Sequence, residues 1–149
     1  MIWTPHTTVA SIIEDDGRFL MVEEMTRDGK TVFNQPAGHL EEAESLLEAV
    51  IRETREETRW GFRPHALIGI YRWQVPPAET TYLRFCFQGI CHDHQPELSL
   101  DEGILRAVWM SRDELAANPE QLRSPMVLRC IDDYLAGHRY PLELISDIK

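Results

Sequence analysis

Glu53, Glu56 and Glu57 fall in the second half of a segment, Ser45 to Thr58, whose pattern predicts a helix. Ser45 with Glu48 fits a capping box, and Leu47, Val50, Ile51, Thr54 and Thr58 recur at helical spacing as a core-facing stripe. At ~100° per residue, the three glutamates share an arc of roughly 100°. Like charges at that spacing repel, and the macrodipole disfavours negative charge toward a helix C-terminus. Such a face is either solvated or needs a counter-charge. A divalent cation supplies one: Mg²⁺ takes a few carboxylate oxygens together with water and phosphate oxygens. Arg52 adjoins the cluster and lies eight residues after Glu44, where it can pair with Glu44 or brace a ligand carboxylate. Gly38 sits at a strand-to-loop exit, where the missing Cβ lets the backbone approach a ligand or metal.

The acidity is concentrated here. Seven Glu and two Arg lie between Glu41 and Glu57, a balance of −5 out of a formal net charge of −10 for the 149 residues. Overall acidity argues against long nucleic acids and anionic membrane surfaces, both of which call for basic patches. Bridged by a cation, it is compatible with a small phosphorylated molecule. The length suits one domain, residues 1–149, and 43% hydrophobic residues suffice for a core. No apolar run approaches the ~18–20 residues of a spanning helix, and the segment through Ile13 lacks the basic region of a secretory leader. Three cysteines, an odd and sparse set, read as reduced buried thiols in a cytoplasmic protein.

Two strands, Thr7 to Glu14 and Arg18 to Glu24, are expected around Asp15-Asp16-Gly17. A turn at Arg27 to Lys30 leads to a short strand, Thr31 to Gln35, stopped by Pro36. Phe62 to Val75 and Thr80 to His92 read as strands around Pro76-Pro77, and Leu105 to Met110 as another. Ser111 to Ala117 and Pro125 to Ala136 read as helices, with Ser111 and Ser124 as N-caps and Gly137 as a stop. The order predicts an α/β domain with helices packed on a sheet.

Gly38, Glu44, Arg52, Glu53, Glu56 and Glu57 match G-x5-E-x7-R-E-U-x-E-E-x-G-U, with U a bulky aliphatic residue, and on that motif the chain resembles the Nudix hydrolase family. Thr54 occupies the first U position, Arg59 stands where the second Gly belongs, and Trp60 fills the last U; Gly61 is expected to take over the left-handed turn. Asn34 to Glu41, Leu83 to Phe85, Leu122 to Pro125 and Arg139 to Glu143 resemble a phosphatase branch of that family. The resemblance implies an α/β/α sandwich around a mixed β-sheet with the Nudix loop-helix-loop. It also implies Mg²⁺-dependent (or Mn²⁺-dependent) hydrolysis of a phosphoanhydride, in a nucleoside di- or triphosphate or in the pyrophosphate of the thiamine-precursor pyrimidine, releasing orthophosphate.

By the same resemblance, Glu53, Glu56 and Glu57 hold the metal with the Gly38 carbonyl, and Arg52 orients a catalytic carboxylate through a salt bridge with Glu44. The general base is either a glutamate of the helix, Glu53 or Glu56, or a loop acid, Asp101 or Glu102. Glu102 is also a candidate metal ligand. Among Phe33, Tyr71, Trp73, Tyr82 and Phe85, Trp73 and Tyr71 share a strand face and are the expected stacking partners of a substrate ring. Arg84 either contacts phosphate or forms a cross-strand ion pair. His39 either reaches a phosphate or is a satisfied loop histidine. Cys86, Cys91, His92 and His94 invite a zinc reading, but alternation puts the two cysteines on opposite strand faces. The rival functions are a binding or sensor domain of the same fold without turnover, and removal of pyrophosphate from RNA 5′ ends, which the missing basic stripe disfavours. Monomer and homodimer remain equally open.

Overall fold

The computed structural model describes residues 1–76 and 80–149. The order is β1 (His6–Ile12), β2 (Glu14–Asp15), β3 (Arg18–Met25), β4 (Thr31–Asn34), β5 (Ala37–His39), α1 (Leu46–Thr58), β6 (Gly61–Val75), β7 (Thr80–His92), β8 (Ile104–Ser111), α2 (Arg112–Ala116) and α3 (Met126–Leu135). The expected Pro76-Pro77 connection extends to Pro77, outside the described residues.

The strands make two four-stranded sheets, one of them the expected mixed sheet. The first runs β5-β1-β7-β6 and is mixed, since β1 lies parallel to β7 and the other pairs are antiparallel. The second is antiparallel and centres on β3, which pairs with β2, β4 and β8. The strand expected over Thr7 to Glu14 is interrupted at Ile13, where the chain passes from one sheet to the other. The turn beyond it has Asp16 and Gly17 both at positive φ, +51° and +79°, the backbone of a type I′ hairpin.

Alternation along the strands builds two cores. Ala10, Met21, Ile68 and Cys86 face α2 and α3 with Leu115, Val127 and Ile131. Val9, Leu20, Leu67 and Phe87 face the other way and pack with Ala49 and Val50 of α1. That is helix, sheet layer, helix, as the sandwich requires. Cys86 and Cys130 are buried in the first core, whereas Cys91 is half-buried against the second; all three are free.

The expected capping box of Ser45 with Glu48 forms, and Ser111, the expected N-cap of α2, makes a second box with Glu114. Ser124 accepts the Met126 N–H at 3.2 Å, and Gly137 ends the last helix at φ +90°. Two expectations for α1 fail. Ile51 is exposed, and the buried face is Ala49, Val50, Glu53, Thr54, Glu57 and Thr58. Arg59 itself adopts the left-handed C-cap, φ +67°, so Gly61 is free to begin β6.

Candidate active site

Helix α1 is pressed side-on against β5, the three-residue edge strand that pairs with β1. Contact is closest at Gly38, where a Cβ would lie 2.1 Å from Glu53 Cδ and 2.3 Å from both carboxylate oxygens. One turn on, Glu57 Oε1 accepts the Ala37 N–H at 2.9 Å. Both glutamates are buried, at 8% and 6% exposure. Burial raises the proton affinity of Glu53, against the Arg52 guanidinium beside it. Burial pushes Glu57 well above the usual carboxylate range, and the nearby Glu53, Glu24 and Asp101 charges add to it.

Arg52 ties the cluster together. Its Nε donates to Glu44 Oε2 at 2.9 Å and its Nη2 to Glu44 Oε1 at 2.6 Å, a bidentate pair and the first of the two roles the spacing left open. Its Nη1 donates to both Glu53 Oε1 and Glu56 Oε1 at 2.8 Å, and its Nη2 to the His39 carbonyl at 3.1 Å. Four anionic or carbonyl partners hold the guanidinium charge firmly in place.

The cavity beside these carboxylates measures about 540 Å³. Four carboxylates line it, those of Glu53, Glu57, Asp101 and Glu24. Arg84, Arg123, Asn34 and Ser124 line it too, with Arg123 3.8 Å from Glu24, as do Trp73, Tyr82 and His39. The strand register explains the arrangement. His39, Thr8, Arg84 and Tyr71 form one cross-strand row, and His6, Tyr82 and Trp73 form another on the same face. Trp73 stacks on Tyr82 with centroids 5.9 Å apart and planes 18° apart. His39 lies 3.2 Å from His6, ring nitrogen to ring nitrogen, and burial lowers its proton affinity.

Gly38, His39, Glu53, Glu57, Trp73 and Arg84 therefore meet at one cavity. Glu44 stands behind Arg52. Glu56 is exposed, outside the cavity lining, and held by Arg52; its backbone carbonyl accepts the Asp101 N–H at 3.0 Å and so ties that loop to the helix. Glu102 is exposed and outside the lining, and its neighbour Asp101 faces the carboxylates instead. Tyr71 is not a cavity residue: its hydroxyl donates to Asp133 Oδ2 at 2.8 Å beneath α3. Phe33 and Phe85 pack against the cores. Glu24, Asn34, Arg123 and Ser124 went unread as site residues. Asn34 and the Leu122 to Pro125 segment lie in stretches that carried the family resemblance, while a glutamate at a strand end such as Glu24 gives no signal.

Among the described residues, no three acidic, His or Cys side chains already stand in the geometry of a metal centre; Glu53 and Glu56 are turned onto Arg52. The donor chemistry nonetheless fits a hard divalent cation, because buried carboxylates that repel one another gain most from it, and the missing Cβ at Gly38 lets the Glu53 carboxylate lie against the backbone there.

Comparison with known proteins agrees with this geometry. Residues 4–129 match the NUDIX domain family. The phosphatase NudJ of Escherichia coli strain K12 is 42% identical over 146 residues, covering 98% of this chain and 94% of that protein. A NUDIX hydrolase from Nitrosomonas europaea superposes with a TM-score of 0.95 at 47% identity, covering 97% of this chain and 98% of that one. A UDP-X diphosphatase shares the fold at a TM-score of 0.75 and 21% identity, over 95% of this chain and 68% of that one.

Proposed function

Because the chain belongs to the NUDIX hydrolase family, whose members act on pyrophosphate bonds, we propose that it is a Mg²⁺-dependent phosphohydrolase. Its substrate in this reading is a nucleoside di- or triphosphate, or the pyrophosphate of the thiamine-precursor pyrimidine, and it releases orthophosphate. The observation that carries the reading is the pair of buried glutamates, Glu53 and Glu57, packed beside Gly38 at the wall of a cavity that Arg84 also lines.

Glu56 and Glu57, with Glu53 and the Gly38 carbonyl, would hold Mg²⁺ or Mn²⁺, which neutralises charge on the phosphoanhydride and acidifies a bound water. Of the three glutamates, Glu53 is assigned the proton of the attacking water: it lines the cavity, burial raises its proton affinity, and Arg52 fixes its orientation from 2.8 Å. Glu44 keeps the Arg52 fork in place from the far side. The water oxygen bonds to the terminal phosphorus, the bond to the bridging oxygen breaks, and orthophosphate and the shortened phosphate ester separate. Trp73 extends its stack with Tyr82 to the ring of the substrate, and Arg84 and His39 face its phosphates.

The test is phosphate release from a panel of nucleoside and pyrimidine pyrophosphates, with Mg²⁺ and with EDTA, and with product identification. Metal-dependent orthophosphate from a diphosphate supports the reading. No metal-dependent release from any member of the panel overturns it.

A further inference from the structure

His6 and His39 meet where β1 and β5 run side by side. Thr8 is the cross-strand partner of His39, and His6, two residues earlier on the same face of β1, is the diagonal neighbour. His6 Nδ1 and His39 Nε2 are 3.2 Å apart, with the ring centroids at 5.4 Å and the planes 68° apart. His39 lines the cavity, whereas His6 is exposed and outside the lining. Tyr82 backs both rings, with its centroid 5.6 Å from that of His6 and 6.4 Å from that of His39, while it stacks on Trp73.

Two ring nitrogens at this separation share one proton, because two N–H groups cannot point at each other. A neutral imidazole has one donor nitrogen and one acceptor, so the bond at one decides the state of the other. Burial and the neighbouring His6 lower the proton affinity of His39, which favours the neutral ring. Its Nε2 is engaged by His6, and its Nδ1 has no hydrogen-bond partner among the described residues. If His39 donates to His6, a bare lone pair remains at Nδ1, and it repels a phosphate oxygen. If His6 donates, the His39 proton is at Nδ1, where a phosphate oxygen can accept it.

We infer that His6 is a positioning residue for the substrate phosphate: its Nδ1–H donates to His39 Nε2 and so keeps the His39 proton on Nδ1, as a neutral donor at the cavity wall. His39, next to Gly38, then offers a hydrogen bond without placing a second positive charge near the carboxylates assigned to the cation. The contact is present in bound substrate as well as in the transition state, so its loss raises KM and spares kcat. The phosphate in this inference rests on the phosphohydrolase reading; the tautomer of His39 does not.

The first arm of the experiment involves no turnover. Long-range ¹H–¹⁵N correlation spectra of the labelled full chain, in EDTA at mildly alkaline pH, report the tautomer of each imidazole, and the His39 signals are those lost in His39→Phe. His39 should be the Nδ1–H form in the parent and in His6→Asn, whose amide nitrogen replaces Nδ1 as donor. It should become the Nε2–H form in His6→Phe, which keeps a ring against Tyr82 but has no donor. In the Mg²⁺ assay, His6→Phe should raise KM by about tenfold, as loss of a hydrogen bond to a charged group does, and leave kcat within about twofold. His6→Asn should restore KM, and in a His39→Phe background His6→Phe should cost nothing further. An Nε2–H ring in the parent overturns the proposal, as does a parental KM in His6→Phe or a cost that persists without His39. Melting of each variant shows whether it is folded, and if one is not, the parent spectrum still decides. Failure of the phosphohydrolase reading registers separately, as absence of phosphate release from the substrate panel.

Discussion

Gly38 leaves the space that the Glu53 carboxylate occupies: a Cβ at residue 38 would sit 2.1 Å from Glu53 Cδ. The glycine is required by close approach rather than by backbone conformation, since its φ is not positive. Gly38→Ala should therefore push Glu53 away from Arg52 and the cavity while β5 keeps its pairing. Turnover should fall by about tenfold to a hundredfold, in line with misplacement of a reacting group by an ångström, with far-ultraviolet circular dichroism unchanged. Wild-type kcat in that variant would show that Glu53 is not held where it reacts.

Glu57 offers the complementary case. Its Oε1 accepts the Ala37 N–H, and a glutamine oxygen accepts the same bond. Glu57→Gln removes one of several mutually repelling buried charges and keeps the contact. In EDTA the variant should be at least as stable as the parent, by up to ~1 kcal/mol, measured by urea unfolding. Its turnover with Mg²⁺ should fall by about 10²-fold or more, the scale of a lost metal-site or proton-transfer group. Near-normal activity would place the metal elsewhere.

What could be read from the chain follows physical scale. Long strands such as β6 and β7 and the capped helix α1 declared themselves, because periodicity and caps are local signals. The three-residue β5 is too short to show a period, and it exists because β1 pairs with it. Ile51 had the right spacing for the core yet lies exposed, because the helix turns Glu53 and Glu57 inward onto β5. The glutamates and Arg52 of α1 were legible as a motif. Glu24 and Arg123 reach the cavity from β3 and from the loop before α3, contacts that only the fold creates. Asp101 rather than Glu102 faces the carboxylates because its N–H is tied to the Glu56 carbonyl.

The left-handed C-cap of α1 is held by Arg59 at φ +67°, a conformation that strains a residue with a Cβ. Its buried Nε also lacks a partner among the described residues. Arg59→Gly should relieve both and stabilise the chain by about 0.5–1 kcal/mol, the net of lost strain and added unfolded-state entropy. Urea midpoints at fixed pH measure it. A variant less stable than the parent would show that the Arg59 side chain contributes packing that outweighs the strain.

The two capping glutamates set a pH dependence of definite sign. Bonds to the Ser45 and Ser111 backbone N–H groups lower the proton affinity of Glu48 and Glu114 from the ordinary 4.5. A depressed folded value means stability that is present above pH 4.5 and is lost as pH falls through that folded value. Glu48→Gln/Glu114→Gln should be less stable than the parent at pH 6. The gap should close on acidification below pH 4.5, as read from urea midpoints across the range. A gap that widens in acid would show that the caps do not depend on charge.

Divalent cation should stabilise the folded chain before any substrate is present. Burial raises the proton affinity of both Glu53 and Glu57, and the Glu53 charge adds to the rise at Glu57; a cation bound to the native state alone adds RT ln(1 + [L]/Kd), about 2.7 kcal/mol at a hundred times Kd. Metal-free protein should thus melt higher as MgCl₂ is added, beyond the effect of matched NaCl. The increment should vanish in Glu53→Gln/Glu57→Gln, whose melting in EDTA is no lower than the parent's. Because this readout involves no turnover, it separates metal binding at α1 from catalysis. Equal increments in parent and double variant would mean that the ion is held by residues other than this helix.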